Sequence, residues 1–421
     1  MTDMTKGNPI KLILAFMVPI LIGNLFQQVY NMVDTAIVGQ FVGVEALAAV
    51  GSTGGITFLV VGFIIGFTHG FSVIISQLYG SNDEEGIKKA VGMSLLLSIA
   101  ATIVITILTV LLVTPILKLM NTPSDIIEYS ASYIRILFLG TAATVAYNLF
   151  ASILRALGDS KTPLYFLIIA SVLNIVLDLV FIINFNMGVS GAALATVISQ
   201  SISAILCYIY IKKKTNVLTL EKHHYKIDKV LIRELLFISI PMALQYSITA
   251  IGVMIVQVAI NGFGSTTVAA YTAATKAEQV VMQPSIAIGL TLATYVGQNL
   301  GAKKYDRIKD GVKKGLYMTV IYNILSAIFI MTFGKHIIGL FVAEGATDVM
   351  DIALTYISIS AFFYPVLGVL FLYRYSLQGL GNAKIPMYSG IVELGMRCAI
   401  AFTLPAVIGF YGICVASPAA W

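Results

Sequence analysis

Two stretches decide the reading of this chain: LRALGDSKTPLY at 154–165 and LQGLGNAKIPMY at 377–388. They share the pattern LxxLGxxKxPxY, so Leu154, Leu157, Gly158, Lys161, Pro163 and Tyr165 match Leu377, Leu380, Gly381, Lys384, Pro386 and Tyr388. A second set of pairs agrees, so that with the first set all fall at a shift of 221 to 223 residues: Pro19 with Pro241, Gly43 with Gly264, Ala48 and Ala49 with Ala269 and Ala270, and Gln77 and Gly80 with Gln298 and Gly301. The chain is therefore two copies of one unit, and its 421 residues divide near the middle.

Each copy is a series of apolar runs. Of all residues 58% are apolar and 11% charged, with a mean hydropathy of +0.92. A soluble domain carries roughly 25% charge, so a water-facing globule is excluded and a polytopic membrane protein is expected. The runs place spans near 13 to 38, 52 to 78, 91 to 114, 130 to 152, 163 to 184 and 189 to 211. Six more fall at 234 to 259, 268 to 296, 315 to 333, 352 to 373, 386 to 404 and from Gly412. The twelfth run meets Trp421 after about ten residues, too short to cross hydrocarbon roughly 30 Å thick; a truncated record or a completing partner would account for it. The expectation is an all-α protein of twelve transmembrane helices in two six-helix lobes. These are 1–211 and 234–421, joined by a linker at 212–233 and related by an axis along the membrane normal.

With the N-terminus in the cytoplasm, 21 of the 26 basic residues fall in cytoplasmic segments, Arg155 and Arg374 among them. That bias sets a multi-pass topology in a plasma membrane, the inner membrane in a bacterium. It also accounts for the net charge of +6 without nucleic acid. Cys207, Cys398 and Cys414 lie in apolar runs and read as small buried hydrophobes. His223 and His224 read as part of a solvated linker rather than a metal site. No Walker A loop, HExxH, CxxC or GxSxG occurs, which leaves neither an ATP site nor a hydrolase, so no enzyme and no cofactor is expected. Work must then come from a gradient, at about 2.3 kcal/mol per charge per 100 mV.

Residues that the repeat does not duplicate are the better candidates for chemistry. Asp34, Asp178, Glu278 and Glu393 are acids inside spans, where carboxylates are costly and tend to face a cavity or an ion. Asp34 ends a stripe of Asn24, Gln27, Gln28, Asn31, Asp34 and Thr35 at helical spacing, which the seventh span lacks. Asn174 and Asp178 are one turn apart, and their repeat partners are Arg397 and Ala401. Counting about 1.5 Å per residue from the outer helix ends places Asp34, Asp178, Thr196 and Asn174 at roughly 6, 9, 12 and 15 Å. Four oxygen-bearing side chains thus share one layer of the first lobe. Two carboxylates there cannot easily both stay ionised, so one holds a proton unless a cation replaces it.

Other polar residues are read more plainly. Glu393 and Arg397, four apart, neutralise each other. Lys276 and Glu278, with Gln28, Asn31 and Asn148, are candidates to line a substrate cleft. His69 reads as a hydrogen-bonded side chain rather than a relay. Pro19 and Pro241 remove a backbone hydrogen bond and permit a bend, so Pro19 is a candidate hinge on the helix carrying Asp34. Phe362, Phe363, Tyr364, Phe371, Tyr373 and Tyr375 read as packing or interfacial belt.

Taken together, VDTAIVGQFVGVEALAAVG from Val33, SQLYG at 76–80, LRALGDSKTP at 154–163, LNIVLD at 173–178 and VGQNLGA at 296–302 resemble the multidrug and toxic compound extrusion (MATE) family. The likeness runs from about residue 8 to the end. It implies twelve helices in two lobes and antiport of amphipathic, often cationic organic compounds against H⁺ or Na⁺, acting as a monomer in the bilayer. It also implies that Asp34, Asn174, Asp178 and Thr196 form the coupling site. Another branch adds acids on helices seven and ten, which this sequence lacks. The alternative is a lipid or lipid-linked saccharide flippase of related fold, which would need several basic side chains for phosphate; only Lys276 and Arg397 offer themselves at depth.

Overall fold

The computed structural model describes residues 2–120, 122–215, 218–342 and 346–421, and among these every regular element is helical. The helices are α1 (Pro9–Phe41), α2 (Val44–Gly80), α3 (Glu84–Leu119), α4 (Ile127–Leu139), α5 (Thr141–Ala156), α6 (Lys161–Leu179) and α7 (Gly188–Lys214) in the first lobe. The second lobe holds α8 (Lys229–Asn261), α9 (Ser265–Gly301), α10 (Tyr305–Gly339), α11 (Thr347–Gly379), α12 (Lys384–Thr403), α13 (Pro405–Ile408) and α14 (Phe410–Ala420).

Local chemistry sets several starts. The Asn8 side chain accepts from Ile10 N with Pro9 at the first helical position, Asp83 accepts from Gly86 N, and Asp228 accepts from Val230 N and Leu231 N. The outer surface is apolar at helical spacing. On α3, Ile99, Ile103, Ile107 and Leu111 are all more than half exposed, the stripe a helix presents to lipid.

Among the described residues ten helices are long and apolar enough to cross a membrane, and α4 with α5 makes an eleventh, broken span. The expected fourth span, 130 to 152, is not one helix: it bends by 48° at Gly140. The expected fifth span ends in a π-helical turn, Val180–Asn184, directly after Asp178. Beyond α12 the chain turns at Gly409, whose φ of +60° suits glycine, and α14 covers 11 residues. Many helices outrun their apolar cores; α2, with 37 residues, is about 55 Å long. Arg155 and Arg374 consequently lie inside α5 and α11 rather than in loops, which corrects their place in the charge count.

The lobes meet on the face that carries the N-terminus. A Cβ added to Gly66 or Gly70 of α2 would overlap Met242–Ala243 or Ser239 of α8. One added to Gly80 would overlap the Gln298 carbonyl, and one added to Gly301 of α9 the Gln77 carbonyl. Toward the opposite face, Gly55 of α2 meets only the flexible side chain of Met254 of α8, at 3.2 Å, and Gly51 and Gly54 have nothing within 4 Å. The seam is closed at one end and relaxed at the other.

Candidate functional site

In the half of the first lobe away from the N-terminal face, α1, α6 and α7 bring four expected residues together. Asp34, Asn174, Asp178 and Thr196 are 8%, 1%, 0% and 9% exposed. The carboxyl groups of Asp34 and Asp178 are neighbours in this cluster. With its amide turned so that nitrogen faces Asp178, Asn174 donates to Asp178 Oδ2 at 3.2 Å and accepts from Thr196 N at 3.2 Å. Asp34 Oδ1 and Asp178 Oδ1 find no hydrogen-bond partner among the described residues. Buried carboxylate oxygens without partners are costly, and a proton or a small hard cation would satisfy them.

Directly beside this cluster lies a pocket whose polar lining is uncharged: Gln27, Tyr30, Thr144, Asn148, Asn174, Thr196, Gln200 and several serines. Thr144 Oγ1 donates to Gln200 Oε1 at 2.5 Å, and Asn148 Nδ2 to the Thr144 carbonyl at 2.8 Å. Ser199 and Ser203 hydroxyls there have no partner among the described residues. Of the expected cleft residues, Asn148 lines this pocket. Gln27 and Tyr30 line it in place of Gln28 and Asn31, which lie on the neighbouring side of α1, half-buried and exposed. Tyr30 was legible at one helical turn before Asp34 and passed unnoticed because an aromatic in a span reads as packing.

The second lobe spends its charges differently. Glu393 accepts from Arg397 Nη2 at 2.6 Å and from Arg374 Nη2 at 2.9 Å, all three less than 10% exposed. The expected pair is thus a triad, and Arg374 is its unforeseen third member. Among the described residues Glu278 hydrogen-bonds only to the Tyr356 hydroxyl, at 3.4 Å, and its Oε1 has no partner. Lys276 is exposed. Glu278 and Lys276 do not join the first-lobe cluster.

Between the lobes, Arg155 Nη2 lies 3.3 Å from His69 Nε2 and 3.1 Å from Ser152 Oγ. Because arginine only donates, His69 Nε2 accepts and its proton sits on Nδ1, which has no partner among the described residues. The space beside this pair, walled by Ser72, Ser76, Tyr375 and Gln378, is too closed for a ligand.

The linker is exposed over Lys222, His223 and Tyr225 to Lys229, as expected of a solvated segment, but departs from that reading at His224. A 3₁₀ turn, Lys222–Tyr225, carries His224 at 1% exposure against Gly92 of α3. Glu85 lies 3.0 Å from His223 Nε2 and 3.1 Å from His224 Nε2, and all three could gather round an ion. His224 Nδ1, however, accepts from Glu221 N at 2.8 Å. That bond fixes the proton on Nε2, the wrong tautomer for a metal ligand. The cluster is an imidazole–carboxylate clasp.

A two-lobe helical membrane bundle with paired acids buried in one lobe and an inter-lobe seam closed at one end defines the class of secondary transporters. The MatE family profile matches residues 19–180 and again 241–403, and the chain belongs to this family, the MATE multidrug efflux transporters. It is 31% identical over 416 residues to the probable multidrug resistance protein YoeA of Bacillus subtilis, covering 96% of this chain and 89% of that one. It is 22% identical over 411 residues to the multidrug export protein MepA of Staphylococcus aureus, covering 97% and 90%. Among solved structures, an outward-facing MATE family transporter of the MOP superfamily superposes with a TM-score of 0.93 at 23% identity, over 99% of this chain and 94% of that one. A MATE in the bent conformation does so with 0.91, at 23% identity and 99% and 93% coverage.

Proposed function

We propose that the chain exports amphipathic, often cationic organic compounds in exchange for H⁺ or Na⁺, with Asp34, Asn174, Asp178 and Thr196 as the coupling site. The observation that carries this reading is the pair of neighbouring buried carboxyl groups, each with one oxygen unpartnered among the described residues, beside an uncharged polar pocket in the same lobe. When both acids are free of the coupling ion, their charge favours an organic cation nearby. When an ion arrives from the open side, the charge is neutralised and the attraction is lost. Cargo and ion then compete for one electrostatic site, and competition is what couples their movements. The orientation has the basic, N-terminal face in the cytoplasm and the open face outside, in a plasma membrane (the inner membrane in a bacterium). The working unit is a monomer needing no cofactor, its lobes 1–211 and 234–421 hinged through 212–233. Pro19 interrupts the hydrogen-bond ladder of α1, which otherwise runs unbroken to Asp34 and beyond, and so supplies a place for that helix to bend.

The flippase reading loses support. Arg397 is committed to Glu393, Lys276 stands exposed and Arg155 is a single cation held by His69 and Ser152, so among the described residues no cluster of free basic groups awaits a phosphate at depth.

Proteoliposomes loaded with a fluorescent organic cation test the proposal. Efflux driven by an imposed proton or sodium gradient should be lost in Asp34→Asn and Asp178→Asn while both variants remain folded. Unchanged gradient-driven efflux in either variant would overturn the assignment.

A further inference from the structure

Ahead of α1, residues 2–7 lie across the closed end of the inter-lobe seam and bond to both lobes. Toward the first lobe, Thr2 N donates to the Gly158 carbonyl at 2.8 Å, and Gly158, with φ of +88°, leaves room for Thr2 that a Cβ would fill. Toward the second lobe, Met4 N donates to Gln298 Oε1 at 3.0 Å. The Met4 carbonyl accepts from Asn299 Nδ2 at 3.1 Å and Arg307 Nη2 at 3.2 Å. The Thr5 carbonyl takes Lys304 Nζ at 2.8 Å, and the Gly7 carbonyl takes Arg307 Nη1 at 2.9 Å. Met4 is fully buried among Phe16, Ile20, Tyr295 and Ile308.

The internal repeat shows that this is an addition to the scaffold. Gln298 donates across the seam to the Ala156 carbonyl at 2.9 Å, and its repeat partner Gln77 donates to the Gly379 carbonyl at 3.1 Å, so the lobes clasp each other symmetrically. Residues 2–7 add to one side of that clasp alone. Of their counterparts at the same offset, His224 to Lys229, His224 alone is buried, and it docks on α3 of the other lobe; the rest stay exposed, and an open groove lined by Gln77, Arg233, Phe237 and Gly381 remains at the symmetric place.

We propose that residues 2–7 are a strap that holds the lobes together on the cytoplasmic side and must leave its seat before that side opens. Two cations, two buried side-chain amides and the Gly158 carbonyl secure the strap through its backbone carbonyls and two backbone N–H groups, so its grip depends on backbone position more than on side-chain identity, with Met4 as its one apolar anchor. The strap biases the two-state equilibrium toward the state open on the other face.

The inference rests on the alternating opening that the transport reading requires. Labelling needs neither gradient nor cargo, so failure of the strap and failure of antiport are read separately. Ser76, 1% exposed in the seam against Gly297, is replaced by Cys in a protein whose Cys207, Cys398 and Cys414 are Ala. A membrane-impermeant maleimide is then applied to inside-out vesicles. Each net hydrogen bond is worth about fivefold in an equilibrium, so deleting residues 2–7 should raise the labelling rate at least about tenfold. Met4→Asp should raise it as well, and Met4→Leu should leave it low. Unchanged labelling in the deletion and in Met4→Asp would overturn the strap. If the deletion fails to accumulate in the membrane, Met4→Asp against Met4→Leu decides the question.

Discussion

Gly80→Ala probes how the seam sets the conformation. Gly80 of α2 sits against the Gln298 carbonyl of α9, and by the repeat Gly301 sits against the Gln77 carbonyl. A methyl at either site overlaps backbone, which cannot turn aside as a side chain can. Both positions end their helices, α2 and α9, so any helix-propensity change from Gly to Ala is the same whichever face is open and cancels from the equilibrium between the two states. What remains is the overpacking cost of about 1–3 kcal/mol, felt only while the seam is closed. That corresponds to a population shift of about 5- to 150-fold toward the state open on the N-terminal face. Spin labels at the exposed, repeat-related positions Lys161 and Lys384 read it by pulsed electron resonance distances. Gly80→Ala should move weight to a longer distance. Gly51→Ala, whose methyl meets nothing within 4 Å, should not. Identical distance distributions for Gly80→Ala and the unmodified protein would refute the claim that this contact holds one face shut.

Two further outcomes follow from the buried charges. Glu393→Leu leaves Arg374 and Arg397 buried without a counter-ion and should cost about 3–5 kcal/mol, whereas combining it with Arg374→Met and Arg397→Met should restore most of the loss in a thermal unfolding assay; equal damage in single and triple variants would contradict the triad. The His224 tautomer argument predicts that isothermal titration with Zn²⁺ shows no heat attributable to His223 and His224, so that the His223→Ala, His224→Ala double variant titrates like the parent, and a zinc heat lost in that variant would overturn it.

Much of the site was legible because independent cues converged on it. Asp34, Asn174, Asp178 and Thr196 were marked by acids in apolar runs, by helical spacing and by depth, and the helices do bring them together. The repeat likewise paired Gln77 with Gln298 and Gly80 with Gly301, but a repeat says that two positions are equivalent, not that they touch. That they touch reciprocally depends on both lying at the seam, which no local pattern encodes. Arg155 and Arg374 were misplaced because hydropathy reports the apolar core of a helix and not its length; in α5 and α11 the helix outlasts the apolar run and turns its last arginine inward. The break at Gly140 was hidden because a single glycine inside an apolar run signals nothing by itself. His224 looked solvated in a charged linker, and only the space left by Gly92 on another helix shows where it docks.

The most direct test of the coupling site is efflux of a fluorescent organic cation from proteoliposomes, measured under a proton gradient and a sodium gradient imposed separately, with Asp34→Asn alongside. Efflux that follows one gradient in the parent and vanishes in Asp34→Asn is the expected result; gradient-driven efflux that persists undiminished in Asp34→Asn would contradict the account.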